Sequence, residues 1–198
     1  MIRLYENFNQ CKAKVELLYA DDAMNMAFCE YRRSSEDAFF MPYTTLTYVR
    51  EGRKVVFLNG ECYDMKAGDA LFIPKNSILY SDIIVKRDPF VSLNLLLGDE
   101  DALLSPMACH ITDRMQLQYY ASLHNMSLST FKRWFKKEVG CSPGQWMIGK
   151  RLQHAKYLLQ HKQQSVKEAC YASGFEDVSY FIRRYKQAFG HTPGQTAI

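Results

Sequence analysis

The sequence predicts an α+β chain of two domains, an antiparallel β-sandwich or barrel over residues 1–100 and an all-α domain over residues 101–198. Three observations predict it. From Lys14 to Leu97, short runs rich in Val, Ile, Leu, Phe, Tyr and Thr follow one another between Gly, Asp, Asn and Pro, the pattern of strands and tight turns. Beyond Ser105 that alternation gives way to helical spacing. Finally, the seventeen residues from Ser129 to Gln145 (STFKRWFKKEVGCSPGQ) return fifty positions later as Ser179 to Gln195 (SYFIRRYKQAFGHTPGQ), with eight positions identical. Average residue usage gives roughly one identity by chance, so a helical unit is duplicated.

In the β half the expected strands are KVELLYA, MNMAFCEY, YTTLTYVREG, KVVFLNG, ECYDM, ALFIP, ILYSDIIV and FVSLNLLL. Asn59-Gly60 is a hairpin signal, because both residues tolerate the left-handed backbone of the tight turn. The region is also rich in Met and aromatic residues (Met24, Met26, Phe28, Tyr31, Phe39, Phe40, Met41, Tyr43, Tyr48, Phe57). They fill a core, or they line a pocket for a small apolar ligand.

In the helical half each copy of the repeat carries its own start and stop. Ser127 and Asp177 are N-cap residues, and Gly140 and Gly190 end the helices. Phe131 and Phe135 in the first copy, and Phe181, Tyr185 and Phe189 in the second, form the apolar stripe. An earlier helix over residues 113–124 offers Met115, Leu117, Tyr120, Ala121 and Leu123 for packing, and a short, weakly marked helix lies between Asp101 and Ile111. Ser142-Pro143 opens a long helix to about Gln160, roughly 27 Å at ~1.5 Å per residue. Ser165 and Glu168 form a capping box for a helix ending near Ala172; Gly174 permits a sharp turn and Phe175 plugs the space beside it. Two pairs of helices, each joined by a short turn and each with a basic second helix, are helix-turn-helix candidates.

Charge follows the same division. Residues 1–104 carry 12 Lys+Arg against 16 Asp+Glu, a balance of −4, and residues 105–198 carry 13 against 5, a balance of +8. A basic half points to a polyanion partner, with a merely solvated basic face as the alternative. The six cysteines stand singly, without metal spacing, and are expected as reduced, mostly buried thiols. No apolar run reaches the ~20 residues of a membrane span, and the first residues lack a signal peptide's apolar core, so a cytoplasmic protein without membrane attachment is expected.

At RLQHAKYLL followed by SVKEACYASGFEDVSYFIRRYKQAFGHTPGQ, the sequence resembles the DNA-binding domain of the AraC/XylS family of transcription regulators, over residues 106–195. KVVFLNGECYDMKAGDALFIPKNS likewise resembles the core of a cupin-like sensor domain. All five histidines lie beyond residue 109, and near Leu79, where a cupin metal histidine is expected, there is none. A metal-dependent cupin enzyme is therefore disfavoured, and neither a metal, a cofactor nor a catalytic group is expected. The chain departs from the family pattern in a short stretch between Leu97 and the first unit, and in Thr196, Ala197 and Ile198 where an aromatic residue and an arginine usually follow.

The resemblance implies that the second helix of each unit enters the major groove. Carried over by position, the base-facing residues are Ser129, Thr130, Lys132 and Arg133 in the first unit and Val178, Ser179, Ile182 and Arg183 in the second. Lys136, Lys137, Arg184 and Lys186 are the expected phosphate contacts. The partners implied are double-stranded promoter DNA, with RNA polymerase, a small-molecule effector and a second copy of the chain as further candidates. The function expected is a sequence-specific regulator, more often an activator in this family, whose β domain senses an effector or mediates association. The alternative is an interaction protein that modulates a partner regulator without specific DNA binding.

Overall fold

The computed structural model describes residues 13–98, 104–113 and 116–196. The chain divides into two compact units, Met1–Leu104 and Ser105–Ile198. Much of LLGDEDALLSP, where the sequence predicts the change of pattern, lies outside the described residues.

Nine strands are described in the first unit: β1 (Ala13–Ala20), β2 (Met24–Tyr31), β3 (Ser35–Met41), β4 (Thr44–Glu51), β5 (Arg53–Leu58), β6 (Glu61–Lys66), β7 (Ala70–Ile73), β8 (Ser77–Ile84) and β9 (Phe90–Leu97). They form two sheets, ordered β1-β2-β9-β4-β7 and β3-β8-β5-β6, and every pairing is antiparallel. Eight correspond to the runs read from the sequence. The ninth, β3, contains Glu36-Asp37 and reads as a loop in isolation; it is a strand because all seven of its residues pair with β8, from Ser35 opposite Ile83 to Met41 opposite Ser77.

Strand alternation places Cys29, Tyr31, Val49, Val56, Ile73, Leu79 and Phe90 in one core between the sheets. The β5–β6 hairpin turns through Asn59 (φ 54°) and Gly60 (φ 88°), the left-handed pair expected of that dipeptide. The next turn is closed by Asp69, whose carboxylate accepts from the Lys66 amide at 2.9 Å, while Gly68 donates its N–H to the Val49 carbonyl at 2.9 Å. Leu79, at the position where a metal histidine is sought, is buried.

The second unit contains α1 (Ser105–Cys109), α2 (Leu117–Leu123), α3 (Leu128–Val139), α4 (Pro143–His161), α5 (Val166–Ala172) and α6 (Val178–Phe189), with a single 3-10 turn over Pro193–Gln195. The helix expected over 113–124 is shorter, beginning at Leu117, and Met115 lies outside the described residues. Leu123 is exposed rather than packed, since Tyr120 and Ala121 already carry the buried face. Phe189, expected in the buried stripe, is half-buried at the rim of the second helical core. No helix among the described residues is long and apolar enough to cross a membrane. Cys29 and Cys170 are buried, Cys141 is half-buried and Cys62 exposed, all as free thiols, so the expectation of mostly buried thiols holds for two of these four.

Candidate nucleic-acid interface

The helical unit is built from two similar halves that share α4. In the first, α2 is followed by a turn in which Asn125 takes φ 52° and Met126 donates its N–H back to the Ala121 carbonyl at 3.0 Å. The Ser127 hydroxyl then accepts from the Thr130 amide at 3.2 Å and starts α3, and Gly140 (φ 81°) ends it with an N–H to the Lys136 carbonyl. In the second half, the Ser165 hydroxyl and the Glu168 carboxylate cap each other's backbone at 3.3 and 2.9 Å to start α5. The Glu168 carboxylate, held by the Ser165 hydroxyl and amide, titrates below its usual range. Asp177 caps α6 at the Tyr180 amide, and Gly190 (φ 80°) ends it. The two second helices thus begin and end by the same chemistry at matching positions.

α4 joins the halves over 19 residues, about 28 Å at ~1.5 Å per residue. Ser142 and Gln145 form its capping box and Pro143 occupies its first turn. Its N-terminal part serves the first core, where the Trp146 ring meets Phe135 edge-on with centroids 6.0 Å apart. Its C-terminal part serves the second, where Leu152, Ala155, Leu158 and Leu159 pack with Ala169, Cys170, Phe175, Phe181 and Tyr185. Phe175 fills the α5–α6 turn as expected, 5.1 Å from the Phe181 ring.

Two contacts fix that turn against the chain ahead of α2. A Cβ built on Gly174 (φ +81°) meets the Thr112 carbonyl oxygen at 2.7 Å, so only glycine fits there. Arg151 on α4 donates to the carbonyls of Ile111, Gly174 (3.0 Å) and Asp113 (2.8 Å). This guanidinium, whose burial favours the neutral form, satisfies three carbonyls at once. Neither Arg151 nor the Thr112–Gly174 approach was singled out in the sequence, because both depend on residues more than twenty positions apart.

Burial defines which faces remain open. Phe131 and Phe135 on α3, and Phe181 and Tyr185 on α6, are fully buried. Opposite them on α3, Ser129, Thr130, Lys132, Arg133, Lys136 and Lys137 are all exposed, six of six residues named from the sequence. On α6, Ser179, Arg183 and Lys186 are exposed at the matching positions. Val178 and Ile182 are half-buried and pack on the second core, since they stand three before and one after Phe181. Arg184, matching Trp134 in the repeat, is half-buried too, and its Nη1 donates to Gln187 Oε1 at 3.0 Å.

One residue on the open face escaped the sequence reading. Tyr180 is exposed, and the Arg183 guanidinium lies 5.6 Å from its ring centroid. The repeat contained the signal, because Tyr180 matches Thr130.

Comparison with known proteins follows the same division. Residues 120–197 match the family described as "Helix-turn-helix domain", and residues 6–86 match the family described as "Ethanolamine utilisation protein EutQ". Among curated relatives, the uncharacterized HTH-type transcriptional regulator YdeC of Bacillus subtilis is 33% identical over 84 residues, 42% of this chain and 29% of that protein. The HTH-type transcriptional regulator ExsA of Pseudomonas aeruginosa is 31% identical over 90 residues, 46% of this chain and 32% of that protein. The chain therefore spans under a third of the length of these two relatives. A solved AraC-type transcriptional regulator from Chromobacterium violaceum is 26% identical, with a TM-score of 0.46, covering 48% of this chain and 85% of its own. The helical unit is thus similar to the helix-turn-helix domains of these transcriptional regulators over residues 120–197, and the β unit to the EutQ family over residues 6–86.

Proposed function

We propose that the protein is a cytoplasmic, non-enzymatic transcription regulator, an activator as is more often the case in the AraC/XylS family it resembles, that reads two adjacent major-groove segments with α3 and α6. One observation carries the reading: two helices capped at matching positions turn the same residues outward, Ser129 with Ser179, Arg133 with Arg183 and Lys136 with Lys186.

On this reading Ser129, Thr130, Lys132, Arg133, Ser179 and Arg183 face base edges. Each arginine can donate two bonds to a guanine, with about 1–3 kcal/mol of discrimination per pair. Val178 and Ile182 reach the groove only by the edges not packed on their own core, as apolar neighbours of a thymine methyl. Lys136, Lys137 and Lys186 pair with phosphates and position the helices, and Arg184 does so from a half-buried stem. Tyr180 steadies Arg183. The ~28 Å of α4 suits two units reading successive turns of the same DNA face, roughly 34 Å apart.

The β domain is assigned effector sensing or association. Association with a second copy is supported by the outer face of the five-stranded sheet, where Leu46 and Phe72 stand directly opposite each other and exposed, beside Tyr48 and Leu97. Protection mapping on promoter DNA tests the DNA reading: two protected segments on one face, about one helical turn apart, are expected. A single protected segment would leave only one unit reading DNA.

A further inference from the structure

We propose that the cavity inside the β domain is a receptor site for a short monocarboxylate, whose carboxylate pairs with the Lys54 ammonium and whose alkyl end lies on the aromatic wall. The proposal deepens the sensing role given to this domain and rests on that role.

The cavity offers about 40 Å³ between the two sheets and is lined from β2, β3, β4, β5, β7, β8 and β9. Holding one water takes roughly 10–15 Å³ by the same measure. The space therefore suits a ligand of a few non-hydrogen atoms.

Its chemistry is not that of ordinary core. Lys54 extends from β5 into this interior and is 8% exposed, yet lysine is almost never fully buried without a pairing charge. Its ammonium has three N–H groups. One goes to Thr47 Oγ1 at 3.0 Å, and the Phe90 ring centroid lies 5.5 Å away. Around it stand the hydroxyls of Thr45, Ser81 and Ser92 and the Asn94 amide, which donates to Ser92 Oγ at 3.2 Å and to Cys29 Sγ at 3.3 Å. Among the described residues lining the cavity there is no carboxylate and no imidazole.

Sign and shape follow from this set. A cation is refused, because the one charge among the described lining residues is positive. A neutral ligand leaves the buried ammonium without a counter-charge, whereas an anion supplies one and accepts from the hydroxyls and the amide. Phe39, Met41, Ile83 and Phe90 make the remaining wall apolar, which a halide does not use and a short alkyl chain does. Among the described lining residues, Cys29 and Tyr31, both on β2, are the titratable groups facing Lys54. Burial pushes the Cys29 thiol up to about 11, so it stays neutral beside a bound anion.

The test is calorimetric titration of the full chain, without DNA, with acetate, propionate and butyrate, each against its amide and against chloride. Carboxylates are expected to bind at least ~10-fold tighter than their amides at pH 7. Affinity should rise about fourfold per added methylene until the cavity is filled. Lys54→Met should lose the carboxylate preference. Should that variant fold poorly, the unmodified chain gives the same information. Burial lowers the Lys54 pKa to about 8, so raising the pH to about 9.5 should weaken carboxylate binding roughly thirtyfold and leave amide binding unchanged. Equal affinity for carboxylate and amide, equal affinity for chloride, or no saturable binding at millimolar concentrations would overturn the proposal. Because DNA is absent from this titration, failure here and failure of the DNA-binding reading are separate results.

Discussion

Lys54→Met isolates the free energy of burying an ammonium inside the β domain. Burial lowers the Lys54 pKa from 10.5 to about 8, with the Cys29 sulfur as the smaller, opposing cause. At about 1.36 kcal/mol per unit, the charged side chain costs roughly 3 kcal/mol at neutral pH. The sign is fixed by proton counting. Below pH ~8 both the folded and unfolded chains hold the proton and stability does not change with pH; between ~8 and 10.5 the unfolded chain holds more, so stability rises with pH; above that window neither state holds it. The unmodified β domain should therefore gain roughly 3 kcal/mol between pH 8 and 10.5 that Lys54→Met does not gain. At pH 7 the variant should be the more stable by roughly 2 kcal/mol, that relief less about 1 kcal/mol for the lost bond to Thr47. Lys150, also held near 8 by burial, titrates in the same window, so the difference between the two proteins is the quantity to read. Both tryptophans, Trp134 and Trp146, lie in the helical unit, so urea unfolding followed by far-UV circular dichroism alongside tryptophan fluorescence separates the two units. Parallel stability curves for the two proteins between pH 8 and 10.5 would refute the burial argument.

Three further outcomes are expected. Arg183→Ala should cost about 1–3 kcal/mol on the preferred site, relaxing specificity in one half of it, whereas Lys186→Ala should weaken all sequences alike and lower the salt slope by about 0.9; equal losses on specific and random DNA for Arg183→Ala would remove it from the base-reading set. Gly174→Ala forces a Cβ to 2.7 Å from the Thr112 oxygen at a φ of +81°, and should destabilise the helical unit by about 1–3 kcal/mol in urea unfolding followed by fluorescence; an unchanged midpoint would show that the turn relaxes freely. Phe72, 59% exposed on the outer sheet face, should when changed to Lys shift a concentration-dependent dimer toward monomer in sedimentation equilibrium; an unchanged association constant would take this face out of the interface.

The helical half was legible because its signals are local and occur twice. Ser127, Gly140, Ser142, Ser165, Asp177 and Gly190 each act within four residues of their own position, and all cap where the sequence places them. What could not be read there depends on helical phase and distance. Val178 and Ile182 look like surface residues beside Arg183 until Phe181 fixes which side is buried. Arg151 has no local pattern, as its three carbonyls come from two distant loops.

The β half was legible as strands but not as a site. The acidic pair Glu36-Asp37 hid β3, whose identity is decided by pairing with β8 some forty positions later. Composition suggested an apolar pocket or filled core, whereas the interior gathers Lys54, Thr45, Thr47, Ser81, Ser92 and Asn94 from four strands. Each is a single inward residue in its own run. Their convergence exists only once the sheets close.

That two units of one chain read DNA together is measured by binding to the chain's own upstream DNA and to random DNA of equal length across a salt series. A steep salt slope with a specific-to-random ratio of ~10³ or more is expected. A steep slope with no preference would contradict it, leaving a basic helical domain that holds phosphates without reading sequence, and would turn attention to the interaction-protein alternative.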